Sequence, residues 1–179
     1  MKILFVSDFY YPHIGGVTEH IYHLANEFEK MGHKVSILTA NIKGDLKPDE
    51  RRVIRLGRSM VIPMNKSNAR MTGWVNISVL SSIVNKYNVI HIHGIIAPTL
   101  PLFSLKVSRK TNIFTFHPTF ESSNLYEISK NYLRHYFEKI DGKIAVSVTA
   151  RDSINRYFPG DYRIIPNGVD RNRFKAFGK

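Results

Sequence analysis

The chain contains no cysteine. Disulfides and cysteine-ligated zinc are therefore excluded, and the composition fits a reducing cytoplasm. Long apolar runs are absent too. The best candidate, Ile95 to Phe103, is broken by Pro98 and Pro101 and cannot span a bilayer. At the N-terminus, Ile3 to Val6 runs at once into Ser7 and Asp8, too short an apolar stretch for a signal peptide. Repeats and low-complexity tracts are missing. Gly-x-Ser-x-Gly and His-Glu-x-x-His do not occur, and no close carboxylate pair points to glycoside hydrolysis. Neither a Walker loop nor G-x-G-x-x-G is present.

Acids are missing where bases are dense. From Arg51 through Phe120 there is no Asp or Glu, against ten Lys or Arg, in a chain of net charge +12. A field of one sign attracts anions such as nucleotides, anionic lipid headgroups or nucleic acid. The bland alternative is a solubility surface with no partner. No nucleic-acid motif accompanies the charge, and aromatics are not interleaved with it, so no nucleic-acid partner is expected.

What is present is an alternation of strand and helix over 179 residues, a length that suits one domain. Lys2–Ser7 reads as a buried strand, because Ile3 to Val6 is continuously apolar, and further strands are expected at Val35–Leu38, Val53–Leu56, Val89–His93, Ile113–His117, Lys143–Ser147 and Tyr162–Ile165. Helical spacing predicts helices at Val17–Met31, Trp74–Tyr87, Thr99–Lys110, Leu125–Ile140 and Ala150–Tyr157. The fold class is therefore α/β, a doubly wound Rossmann-like parallel sheet with helices on both faces. Residues 1–166 form the domain. At 167–179 the turn Pro166-Asn167-Gly168 leads into a basic tail that leaves it.

Ligands of such sheets bind beyond the C-terminal strand ends, so the residues after each strand carry the information. After the first strand, Gly15 and Gly16 open a helix. Free N–H groups there would face an anion, typically phosphate; the alternative is a plain loop that uses glycine for geometry. In the fourth strand His91 and His93 share one face, with His93 nearer the edge. A metal pair is conceivable, but no third ligand stands at a familiar spacing, so no metal is expected. His117 sits at the next strand tip before Pro118 and Thr119. It could hydrogen-bond a substrate, act as a base, or be a packed core histidine.

The blocks Gly15-Gly16-Val17, Gly32-His33, Val89-Ile90-His91-Ile92-His93, Phe114-Thr115-Phe116-His117, Ile144-Ala145-Val146-Ser147 and Pro166-Asn167-Gly168-Val169-Asp170 stand in this order along the chain. Taken together, they resemble the retaining GT-B glycosyltransferases of family 4, and among them the phosphatidylinositol mannosyltransferase type. The resemblance implies one half of a two-domain GT-B fold, the N-terminal acceptor side, with 167–179 crossing toward a C-terminal donor domain that is absent from this sequence. It implies transfer of a sugar from a nucleotide-sugar to a lipid or glycan acceptor with retention, and no metal or other cofactor. By position, Gly15 and Gly16 would meet the donor diphosphate and sugar. His117 would bond the sugar or acceptor, and Thr18, His93 and Thr119 would lie on the acceptor side. Thr18 and Ser122 stand where that type has glutamine and lysine, so the acceptor itself does not carry over. Arg51, Arg52, Arg55, Arg58, Lys66 and Arg70 are the expected contact with an anionic membrane, on which a cytoplasmic enzyme would sit peripherally. The alternative is a non-catalytic domain that binds an anionic glycolipid or polyanion.

Overall fold

Strand β1 (Lys2–Val6) is buried on both faces, which is why its apolar run is continuous. Leu4 and Val6 point to one side, Ile3 and Phe5 to the other. A computed structural model of the chain describes residues 1–42, 50–64, 67–94, 97 and 99–168, with the backbone alone at 62–64 and 67–70. After β1 come α1 (Gly16–Lys30), β2 (Lys34–Asn41), β3 (Val53–Met64), β4 (Ser67–Gly73), α2 (Ile77–Val84) and β5 (Val89–His93). The second half is α3 (Leu100–Val107), β6 (Thr111–Phe116), α4 (Asn124–Phe137), β7 (Gly142–Ala145), α5 (Val148–Asn155) and β8 (Tyr162–Ile164).

The eight strands form one sheet in the order β4-β3-β2-β1-β5-β6-β7-β8. All neighbours are parallel except β3 and β4. From β1 the chain winds toward one edge, and from β5 toward the other. Right-handed crossovers then force the helices onto opposite faces. Helix α1 buries Ile21 and Ala25 against Ile3, Phe5, Val35 and Ile37. Helices α2 to α5 cover the other face, with Leu80, Leu105, Leu133 and Ile154 around Ile90, Ile92, Phe114 and Phe116. A fully buried side chain such as Ile21 contributes about 1.5–3 kcal/mol. On the α1 side, Ile113 and Ile144 of the far strands are only half-buried.

Two expectations change. The third strand runs to Met64, and an unforeseen antiparallel strand, β4, pairs with it from Arg58↔Gly73 to Met64↔Ser67. Ladder hydrogen bonds hold β4, whose sequence offers only Ala69 and Met71 as alternating apolar residues and none with strong strand preference. Helix α2 starts only at Ile77, because Asn76 caps it by accepting from the Val79 N–H at 3.1 Å. Trp74 stays outside that helix, 77% exposed and with φ 50°. Finally, 169–170 of the Pro166-to-Asp170 block, and the tail after it, lie outside the described residues.

The lower end of α3 is closed by a distant residue. The Lys139 ammonium donates to the carbonyls of Leu105, Lys106 and Ser108 at 2.6, 3.1 and 3.2 Å. Those carbonyls lack helical partners, and they carry the negative end of the helix dipole. Replacing Lys139 with Met should lower unfolding free energy by about 1–2 kcal/mol. Urea denaturation checks this, with a drop in midpoint at unchanged slope.

Candidate functional site at the switch point

The winding reverses between β1 and β5, and in sheets of this class that switch point is where a crevice opens at the C-terminal strand ends. Gly15 and Gly16 lie on one wall. Gly15 is the N-cap of α1 and offers no side chain to its first N–H groups. Three other helix starts are treated differently, with Asn76, Ser123 and Ser147 each capping their own helix, whereas α3, behind Thr99 and with Pro101 in its first turn, also lacks a side-chain cap. The donors of Gly16, Val17 and Thr18 are therefore left for something else.

Neither glycine is needed by the protein itself. Gly15 is fully extended, a conformation open to any residue. A Cβ there would meet only His13 Nε2 at 3.7 Å, an ordinary contact, and one at Gly16 would meet nothing within 4 Å. The explanation by loop geometry thus fails on both counts. What remains is space beside uncapped N–H groups. Gly94, after β5, is different: its φ of 105° does call for glycine.

The opposite wall is built of histidines. His91 and His93 alternate onto the α1 face of β5, and register places His93 beside Thr115 of β6. His117 follows two residues later on that same face. His91 Nε2 and Thr115 Oγ1 lie 2.8 Å apart, and His93 Nδ1 and His117 Nε2 lie 3.2 Å apart. His20 of α1 completes the group, with its ring centroid 4.9 Å from that of His117 and 5.5 Å from that of His93. Burial lowers the pKa of all four. His91 and His117 fall to about 3, and neighbouring histidines add to the effect. At neutral pH the rings are uncharged donors and acceptors. A base with so low a pKa is a poor proton acceptor, which favours His117 as a hydrogen-bonding group.

The expected site residues separate into those that converge and those that do not. Gly15, Gly16, His93 and His117 belong to the elements that border the crevice, and Thr119 is exposed after them. Thr18 is a correction. It is buried, and its hydroxyl donates to the His13 carbonyl at 2.9 Å, so it shapes the glycine loop instead of facing an acceptor. Arg52 and Arg55 are corrections as well. Arg52 is buried against Glu29 at 2.8 Å and lies over the Tyr22 ring. Arg55 pairs with Glu50 and donates to the carbonyls of Ala40 and Tyr11. Acids outside the acid-free stretch, Glu29 on α1 and Glu50 just before it, pair with both. Arg51 and Arg58 are exposed; Lys66 and the side chain of Arg70 lie outside the described residues.

His20 escaped the sequence reading, although a signal existed. It stands four residues after Gly16, hence on the same helix face. His20, His93 and His117 are also the residues that could hold a metal among those described.

Asp8 closes the floor between the walls. It is buried, accepts from the Thr72 hydroxyl, and is also hydrogen-bonded by Thr99 and the backbone of Leu100 and Thr72. It thereby joins the ends of β1 and β4 to the start of α3.

The fold is that of one Rossmann-like half of a GT-B glycosyltransferase. The glycosyltransferase family 4 model matches residues 14–173, and the chain belongs to that family. It is 33% identical over 173 residues to a phosphatidyl-myo-inositol mannosyltransferase of Mycolicibacterium smegmatis, covering 95% of this chain and 44% of that protein. An alpha-monoglucosyldiacylglycerol synthase of Streptococcus pneumoniae is 26% identical, with 98% and 42% covered. A glycosyltransferase structure from Rickettsia africae shares the fold, with a TM-score of 0.66 at 20% identity, over 97% of this chain and 45% of that one. The chain thus spans less than half the length of these relatives.

The buried carboxylate gives a pH test. Desolvation raises Asp8 to about 6 from 3.8. The folded chain therefore holds this proton at pH values where the unfolded chain has lost it. The cost of the buried charge is fully present above pH 6 and is relieved as pH falls toward 3.8. Against Asp8→Asn, wild type should gain stability on acidification from pH 7 to 4, by up to about 3 kcal/mol. Urea midpoints of the two proteins across that range check it; a constant difference contradicts it.

Proposed function

We propose that this chain is the acceptor-side half of a retaining glycosyltransferase that takes a sugar from a nucleotide-sugar donor. The carrying observation is the uncapped, sterically open start of α1 at Gly15-Gly16, facing the switch-point crevice with the histidine wall across it. In this reading the N–H groups of the first turn of α1 hold the donor diphosphate. They stabilise it as it leaves the anomeric carbon, where the transition state resembles an oxocarbenium ion. His117, neutral and oriented by His93, hydrogen-bonds the sugar. The hydrogen bond between the two rings also couples their tautomers. A second domain, beyond 167–179, supplies most donor contacts, and no metal or other cofactor takes part in transfer.

The names of both relatives given above contain a lipid, phosphatidyl-myo-inositol in one and monoglucosyldiacylglycerol in the other. A lipid acceptor reached from a membrane surface is accordingly the favoured reading here. No helix among the described residues is long and apolar enough to cross a membrane, so contact would be peripheral. With Arg52 and Arg55 engaged internally, Arg51 and Arg58 are the exposed cations of the expected set among the described residues.

Three outcomes are expected. Gly16→Ala should fold at least as stably as wild type, since alanine is favoured over glycine inside a helix by about 0.5–1 kcal/mol. In the longer enzyme it should nevertheless lower kcat/KM for the nucleotide-sugar, because a methyl group enters the space kept for the donor. Thermal melts paired with kinetics separate the two effects; unchanged kinetics would remove the donor role of α1. His117→Ala in that enzyme should reduce turnover by about 10- to 100-fold with the fold intact, as measured by steady-state assay and circular dichroism. Arg51→Gln with Arg58→Gln should weaken binding to anionic vesicles about 30-fold, at about 1 kcal/mol per cation. Vesicle co-sedimentation that is indifferent to anionic lipid and to salt would dismiss the membrane reading.

A further inference from the structure

The histidine wall has a second chemical capacity. His20 on α1, His93 on β5 and His117 after β6 each offer one ring nitrogen, and the three lie within 4.8 Å of one another. We infer that this trio binds one divalent transition-metal ion of the zinc class through three imidazole nitrogens, with a fourth position open.

The spacing supports this. Two nitrogens bound at about 2.0–2.1 Å to a tetrahedral ion stand about 3.3 Å apart. His93 Nδ1 and His117 Nε2 are already at 3.2 Å, the edge of such a tetrahedron. Two of the three ligands are held firmly. The His93 ring is packed edge-on to Phe5, with centroids 5.3 Å apart, and against His91 at 4.2 Å. His117 leaves its strand straight into Pro118. His20 is half-buried on the surface helix and is the arm whose rotamer closes the third edge. His91 is not available as a competitor, since its Nε2 is engaged with Thr115.

The donor set selects the ion. Imidazole suits zinc, copper and nickel, whereas magnesium and calcium require oxygen ligands. The trio contains no carboxylate, and the chain has no thiolate to offer. Three protein ligands leave a position for water or another oxygen. Metal on His117 and sugar on His117 exclude each other. If the transfer reading above holds, the metal-bound state is an off state; the metal site itself stands on the histidine geometry alone.

The test uses this chain without an affinity tag, stripped by chelator and dialysed, and titrated with cobalt chloride and then zinc chloride. One equivalent of cobalt should produce visible d–d absorption, which zinc then abolishes. His20→Ala and His117→Ala should each weaken binding about ten-fold or more. His23→Ala and His135→Ala, at exposed histidines outside the trio, should leave it unchanged. Circular dichroism confirms that each variant is folded, with His20→Asn replacing any alanine variant at that position that is not. Absence of one-to-one binding overturns the site. So does binding that survives His20→Ala, or that is lost equally with His23→Ala. None of these readouts depends on transfer activity.

Discussion

The handedness of strand crossovers governs this molecule more than any single contact. Because β1 leads toward one edge and β5 toward the other, their helices must lie on opposite faces, and the loops at their tips must part. A crevice follows from topology before any side chain is considered. The open start of α1, the strand-tip histidines and the floor at Asp8 all belong to the elements that meet there. Asp8 shows how the gap is held. A carboxylate is kept out of water at the place where β1, β4 and α3 meet, and hydrogen bonds from all sides offset part of its desolvation.

The two walls are chemically unlike, and each is shaped by what it lacks. Helix α1 lacks a capping side chain and presents backbone donors. The histidine wall lacks a charge partner, so burial keeps its rings neutral. A fixed dipole on one side and uncharged hydrogen-bonding groups on the other can receive an anion with its attached sugar without placing a buried cation in the fold. The same neutrality keeps the ring nitrogens unprotonated, the form that the proposed ligation of a zinc-class ion requires. Sugar contact and metal ligation therefore compete for one set of atoms.

Much of this was legible in the sequence, and the failures have physical reasons. A continuous apolar run marked β1, because this strand is covered on both faces, and shorter apolar segments marked β5 and β6. Gly15-Gly16 and His117 were visible as residues after strands, where the fold class puts ligands. Strand β4 was invisible, since its pairing with β3 rests on ladder hydrogen bonds and the apolar alternation in Ser67 to Gly73 is limited to Ala69 and Met71. The basic stretch misled. Charges were read along the chain, but Arg52 finds Glu29 and Arg55 finds Glu50 in space. Thr18 was assigned by position, whereas its hydroxyl serves the loop beside it. His20 was missed because the convergence of a helix and two strand tips is a property of the fold, and the residues lie far apart in sequence.

The central claim is that the open start of α1 receives the donor diphosphate. A structure of the longer enzyme with an intact nucleotide-sugar bound tests it most directly. The account predicts a diphosphate oxygen within about 3 Å of the backbone nitrogens of the first turn of α1, at Gly16 or Val17, with the sugar reaching His117. A diphosphate held wholly elsewhere, with that turn facing only solvent, would contradict it.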